Sequence, residues 1–140
     1  MVNFAKCCNP LPGDAVRGFI TRGRGVTVHK DDCINLLEMD PHRIVEVTWD
    51  GEQPVSRIVG LSILAKNRTG LLALISGVFA SNDSDIVQAN IKTVEDDHAQ
   101  GIFMISVRNL SHLTRLMSAL KNIKGVEKVE RLGTAHGKPN

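Results

Sequence analysis

The sequence lacks most of the features that would announce a membrane, secreted or catalytic protein. No apolar run is long enough to cross a bilayer, and the N-terminus carries no charged segment followed by an apolar one, so a soluble chain is expected. Cysteine is scarce. Three residues, an odd number with two of them adjacent, make a poor disulfide framework and point to a reducing cytoplasm. There is no glycine-rich phosphate loop, and no acid, base and nucleophile stand together in a recognisable pattern, which argues against catalysis by these residues. Aromatic residues make up only 4% of the chain, and Phe19 alone lies in its most basic stretch, which disfavours stacking on single-stranded bases. A net charge of +2 and a pI near 8.5 are too mild to indicate nucleic-acid binding by the chain as a whole.

What is present suffices for one ordinary domain or two small ones: 140 residues, 42% of them hydrophobic, can bury a core. The unusual residues concentrate between Lys6 and Cys33. All three cysteines lie there, and its five basic and three acidic side chains account for the whole net charge, the remainder balancing twelve against twelve. Pro10, Pro12 and Gly13 forbid regular structure just after Cys7 and Cys8, so the pair should end a strand and enter a tight turn. Val16 to Thr21 and Val26 to His29, separated by Arg22-Gly23-Arg24-Gly25, predict a β-hairpin. Asp31 or Asp32 can cap a short helix, Cys33 to Met39, that buries Ile34, Leu37 and Leu36 and stops at Pro41. Val45, Val47 and Trp49 alternate with polar residues as a half-buried strand does.

Residues 1–49 therefore read as a first module and the polar, turn-rich residues 50–54 as a short linker. Residues 55–132 are more regular. Val59 to Ala65, Val87 to Lys92, Gly101 to Val107 and Val126 to Arg131 predict strands. One helix carries Leu71, Leu72, Ile75, Val78 and Phe79 on a single stripe, and a second, capped by Ser111, carries Leu113, Leu116, Met117, Leu120 and Ile123. Gly125 suits a left-handed position after the second helix. The order βαββαβ is the ferredoxin-like arrangement, giving an α+β chain with two helices on one face of an antiparallel sheet. Residues 133–140 have no apolar period and predict a frayed tail.

Three groups of residues can carry function. Cys7, Cys8, His29 and Cys33 supply the four ligands of a closed zinc site, provided the chain turns so that adjacent cysteines face one metal; buried metal-free thiols and a redox-sensing thiol pair are the alternatives. Lys6, Arg17, Arg22, Arg24 and Lys30 lie on or beside the hairpin, where they suit phosphate contacts along structured RNA or form a solvated surface partly neutralised by Asp14, Asp31 and Asp32. Asn67-Arg68-Thr69-Gly70-Leu71-Leu72 stands between a strand and a helix. It is either a plain helix start or an anion-binding one, where free amides take a carboxylate and Asn67 takes an ammonium.

The runs Cys-Cys-Asn-Pro-x-Pro-Gly-Asp and Arg-Gly-x-Val-His-x-x-x-Cys resemble the cysteine- and histidine-bearing module, called a zinc-finger or ribosome-intersubunit domain, of the long RelA/SpoT-type enzymes that make and degrade guanosine tetra- and pentaphosphate. In that family the module precedes a C-terminal ACT domain, and the resemblance covers roughly residues 4 to 132. It implies a noncatalytic regulatory region that contacts ribosomal RNA and acts on upstream catalytic domains of the same enzyme. The Asn67 to Leu72 loop is similar to the one with which many ACT domains hold a free amino acid across a dimer interface, branched-chain amino acids being the first to test. Asp85 matches the position from which a neighbouring subunit often adds a polar group. Many ACT domains place glycine before that strand, whereas this chain has Ser81-Asn82-Asp83-Ser84. A homodimer through residues 55–132 is expected, because Leu64, Ile102 and Met104 fall on the sheet face opposite the helices. The competing reading is a ligand-free interaction module.

Overall fold

The computed structural model describes residues 2–23, 25–49 and 56–132. Arg24, the expected linker 50–54 and the expected tail 133–140 lie outside the described residues. The first module contains β1 (Val2–Phe4), β2 (Val16–Thr21), β3 (Gly25–Lys30), α1 (Ile34–Leu37), a 3-10 turn over Pro41–Arg43 and β4 (Ile44–Glu46). Its four strands are ordered β1-β3-β2-β4. The β2–β3 hairpin falls where its two apolar runs and the Arg-Gly-Arg-Gly turn place it. β1 runs parallel to β3, so this small sheet is mixed rather than purely antiparallel.

Three local expectations for this module need correction. Neither Asp31 nor Asp32 caps α1: Cys33 occupies the N-cap position without a side-chain bond, and Asp32 pairs with Lys30 instead. Leu36 is the buried residue of α1, whereas Ile34 and Leu37 face solvent, because four residues make one turn and present no stripe. The last strand stops at Glu46, and Trp49 lies beyond it with its indole N–H donated to the Asp14 carbonyl at 3.0 Å.

The second module has the expected order: β5 (Arg57–Lys66), α2 (Leu71–Ser81), β6 (Ile86–Val94), β7 (His98–Val107), α3 (Leu110–Lys121) and β8 (Val126–Arg131). The sheet is antiparallel with strand order β6-β7-β5-β8. Alternation puts Val59, Leu61 and Ile63 of β5 and Phe103, Ile105 and Val107 of β7 on one face. They meet Leu71, Ile75 and Phe79 of α2 and Leu113, Leu116 and Leu120 of α3 in a single core. Leu72, expected on the α2 stripe, is half exposed. β6 behaves unlike the other strands. Ile86 to Thr93 are exposed on both faces, and among the described residues no helix packs closely over this edge.

The start of α3 is fixed by Asn109 rather than Ser111; the Asn109 side chain accepts the His112 amide at 2.8 Å. His112 is itself buried. Its Nδ1 accepts the Arg108 amide at 3.0 Å, which leaves Nε2 as the donor to the Asn82 carbonyl at the end of α2. One imidazole thus ties the two helices together through backbone groups. Replacing His112 by Leu keeps most of the bulk and leaves a partly buried donor, the Arg108 amide, and a partly buried acceptor, the Asn82 carbonyl, without their partner. Urea denaturation should then show a loss of about 2–4 kcal/mol, and a change within error of zero would refute this role.

Candidate functional site

The turn after β1 brings Cys7 and Cys8 alongside β3 and the start of α1, where His29 and Cys33 stand. All four ligand atoms lie within 4.8 Å of one another. Cys7 Sγ is 3.5 Å from Cys33 Sγ, 4.0 Å from Cys8 Sγ and 3.5 Å from His29 Nδ1, and Cys8 Sγ is 3.9 Å from the same nitrogen. A tetrahedral ion with ordinary bonds to sulfur and nitrogen sets S···S edges of about 3.8 Å and S···N edges of about 3.6 Å. The observed spacings bracket those values, so the cluster can hold a metal ion. Adjacent cysteines reach one point because a hydrogen-bonded turn, Asn9 N–H to Ala5 C=O at 3.0 Å, replaces the extended chain that would send them to opposite faces.

Cys8, His29 and Cys33 are buried, and Cys7 lies at the solvent side. Burial pushes the Cys7 and Cys8 thiols above their ordinary range and the His29 imidazole below its own. Cys8 Sγ also accepts the Lys30 amide at 3.3 Å, a bond that orients the sulfur. Without a cation these groups are held neutral; a divalent cation offsets the burial of thiolates directly.

The basic residues separate into different environments. Lys6, Arg17 and Arg22 are exposed, while Lys30 is buried and pairs with Asp32 at 3.3 Å. Arg43, which periodicity did not single out, lies over the Phe19 ring at 5.0 Å. Asp14, read from the sequence as a surface neutraliser, is buried against Arg131 of the second module.

In the second module a cavity of about 280 Å³ opens at the start of α2. Asn67, Arg68, Gly70 and Leu71 of the loop line it, together with Ile63, Ala65, Ile75, Ala99, Gly101 and Phe103. Thr69 and Asp85 are not among its lining; Asp85 precedes β6, six residues and about 20 Å of extended chain from the cavity residue Ile91. Gly70 is left-handed, at φ 85°, and no atom approaches the place of a Cβ within 4 Å, so the glycine serves backbone conformation and leaves open space above it. No side chain caps α2. The sequence reading missed the cavity floor, where Ala65 pairs with Ala99 and Ile63 with Gly101 across β5 and β7. Small residues at three helix-facing positions were the signal that could have revealed it.

Two family models match the chain in succession: the RelA/SpoT RIS domain over residues 1–50 and the ACT domain over residues 55–131. The chain belongs to the RelA/SpoT family, as a RIS and ACT region. It is 45% identical over 132 residues to a GTP pyrophosphokinase of Myxococcus xanthus, a match covering 94% of this chain and 17% of that protein. With the bifunctional (p)ppGpp synthase/hydrolase RelA of Mycobacterium tuberculosis it shares 35% identity over 137 residues, or 96% of this chain and 19% of that one. The RIS–ACT chain thus spans less than a fifth of the length of these relatives. The crystal structure of the ACT domain from a GTP pyrophosphokinase of Chlorobium tepidum matches with a TM-score of 0.50 and 31% identity, covering 56% of this chain and 100% of that one. This agrees with the ferredoxin-like order of the second module. Among the described residues no helix is long and apolar enough to cross a membrane.

The cluster geometry has a direct test. Cobalt(II) added to reduced protein should give a one-to-one complex with tetrahedral thiolate absorption, weakened at least tenfold by Cys33→Ser. Because burial holds the protons that ligation must displace, affinity should climb as pH rises through neutrality. Absence of a tetrahedral spectrum would discard the metal.

Proposed function

We propose that this RIS–ACT chain is a noncatalytic regulatory region of a (p)ppGpp synthetase/hydrolase, in which the ACT module takes a free aliphatic amino acid and the RIS module, closed around a structural zinc ion, meets ribosomal RNA. The observation that carries the first part is the cavity at the uncapped start of α2. Its walls are apolar except at the mouth, where Asn67 and Arg68 stand. A ligand carboxylate fits the open first-turn amides and the Arg68 charge, its ammonium fits the Asn67 amide, and a branched side chain fills the space between Ile63, Ala99 and Phe103. Three thiols and an imidazole are a donor set suited to zinc.

Exposed Lys6, Arg17 and Arg22 supply phosphate contacts on the RIS module. The β6 edge, whose outer side pairs with no strand among the described residues, supplies the surface for a homodimer through residues 55–132, which would bring a partner's residues to the open side of the cavity. In the cytoplasm such a region would pass ligand and ribosome state to the catalytic domains of the same enzyme, setting alarmone synthesis against hydrolysis.

Calorimetric titration with valine, leucine and isoleucine should give saturable heat that Ala99→Leu, which fills the cavity, abolishes; light scattering on the same sample should report twice the chain mass. Silence with every amino acid would favour the ligand-free interaction module. For the RIS module, the double variant Arg17→Ala, Arg22→Ala should weaken ribosome association and flatten its dependence on salt by about two phosphate contacts. An unchanged salt slope would return these residues to a solvated surface.

A further inference from the structure

Residues 9–14 do more than turn the chain after the cysteine pair. Leu11 is fully buried, yet the core it joins is that of the ACT module, the cluster that also holds Val59, Val107 and Leu113. The Pro12 carbonyl accepts the Leu110 amide at 2.8 Å, at the first residue of α3. Gly13 has φ 103°, and a Cβ there would stand 3.0 Å from the Leu110 Cβ, so glycine is required by conformation and by close approach together. The Asp14 carboxylate accepts two parallel bonds from Arg131, Nη1 to Oδ1 at 2.9 Å and Nη2 to Oδ2 at 2.8 Å, with both residues buried. Arg131 Nη2 also donates to the Asn9 carbonyl at 3.0 Å, and Asp14 Oδ2 accepts the Leu11 amide at 2.6 Å. A second contact joins the modules on the other side of the segment, where the Arg57 guanidinium lies 4.0 Å from the Phe4 ring centroid and Phe4 stacks on Trp49.

Five of the six residues of Asn-Pro-Leu-Pro-Gly-Asp, all but Pro10, thereby take part in docking, and the Cys7-Cys8 pair is the direct covalent continuation of the segment. Asn9, at φ 46°, is the only residue between the Cys8 side chain, held at the cluster, and Pro10. A chain fixed at both ends over so few residues cannot move at one end alone.

We propose that residues 9–14 form a latch that joins the thiol and imidazole cluster to the ACT module as one folding unit, so that whatever closes or loosens the cluster is felt at α3 and β8. The latch stands on the packing around it and does not require an ion in the cluster, so it is judged separately from the zinc reading.

Hydrogen–deuterium exchange on the whole chain tests it. Cys8→Ser alters only the cluster and should nonetheless speed exchange in α3 and β8 roughly tenfold or more, since those amides would open with the cluster. Asp14→Asn keeps the shape of the side chain and strands the Arg131 charge, and should speed exchange both in α3 and β8 and in β3 and α1 by a similar factor. Should Asp14→Asn unfold the chain, Leu11→Val gives a graded version of the same effect. Cobalt absorption of each sample reads the metal independently: faster exchange in a chain that binds no metal discards zinc and keeps the latch. Cys8→Ser with exchange raised only within residues 2–49, or Asp14→Asn and Leu11→Val with α3 and β8 at wild-type rates, overturns it.

Discussion

A buried guanidinium and carboxylate, Arg131 and Asp14, set the terms for the rest of this molecule. Taking two charges out of water is costly, and their mutual attraction repays the cost only when geometry is good and the spare donors and acceptors are filled. Here the fork is bidentate and two backbone groups support it, the Asn9 carbonyl and the Leu11 amide, while Arg131 Nε is buried with no partner among the described residues. The arrangement is therefore demanding in position. It dictates where the segment runs, which places Leu11 in the ACT core and the Asp14 carbonyl under the Trp49 indole. Removing one partner from such a pair costs about 3–5 kcal/mol, a large share of the stability of a domain this size.

The same pair changes the electrostatics of the RIS module. Counted along the chain, the stretch from Lys6 to Cys33 holds five cations and three anions. In three dimensions Arg131 takes Asp14 out of that sum, and Lys30 with Asp32 cancels locally. Of the three acidic residues in that stretch only Asp31 is then left beside the exposed Lys6, Arg17 and Arg22, with Glu46 of β4 opposite Arg17 in the sheet. The stretch itself thereby becomes locally more positive while the net charge of the chain is unchanged.

Elements with a strong period were legible in the sequence. β2 and β8 coincide with their expected bounds, and the α3 stripe of Leu113, Leu116 and Leu120 is the buried one. Features decided by distant partners were not. Asp14 looks like any turn aspartate until a residue 117 positions away arrives beside it. Asn109 outcompetes Ser111 because the backbone turns into the helix two residues earlier than the apolar stripe suggests. Val87, Ala89 and Ile91 alternate as a half-buried strand should, but all three stay exposed, Ile91 only bordering the cavity beside α2. For the candidate sites, residue types were enough to single out Cys7, Cys8, His29 and Cys33, which the fold brings together, and the Asn67 to Leu71 loop, four of whose five residues border the cavity. The cavity floor escaped because Ala65, Ala99 and Gly101 are unremarkable singly and form a floor only once β5 and β7 are in register.

That exposed β6 strand has a consequence for how the chain can change over time. Apart from Ile91 at the cavity, its side chains are exposed on either face, so substitutions there meet little resistance from the core, and the surface can be rewritten for new neighbours while the fold stays intact. What cannot vary freely is the backbone. The amides that pair with β7 must remain donors, which excludes proline at those alternate positions while the outward-facing amides of this edge could lose their hydrogen. Selection on β6 therefore works mainly on identity at the outside and on hydrogen-bonding capacity at the inside, two constraints that fall on the same nine residues yet scarcely interfere.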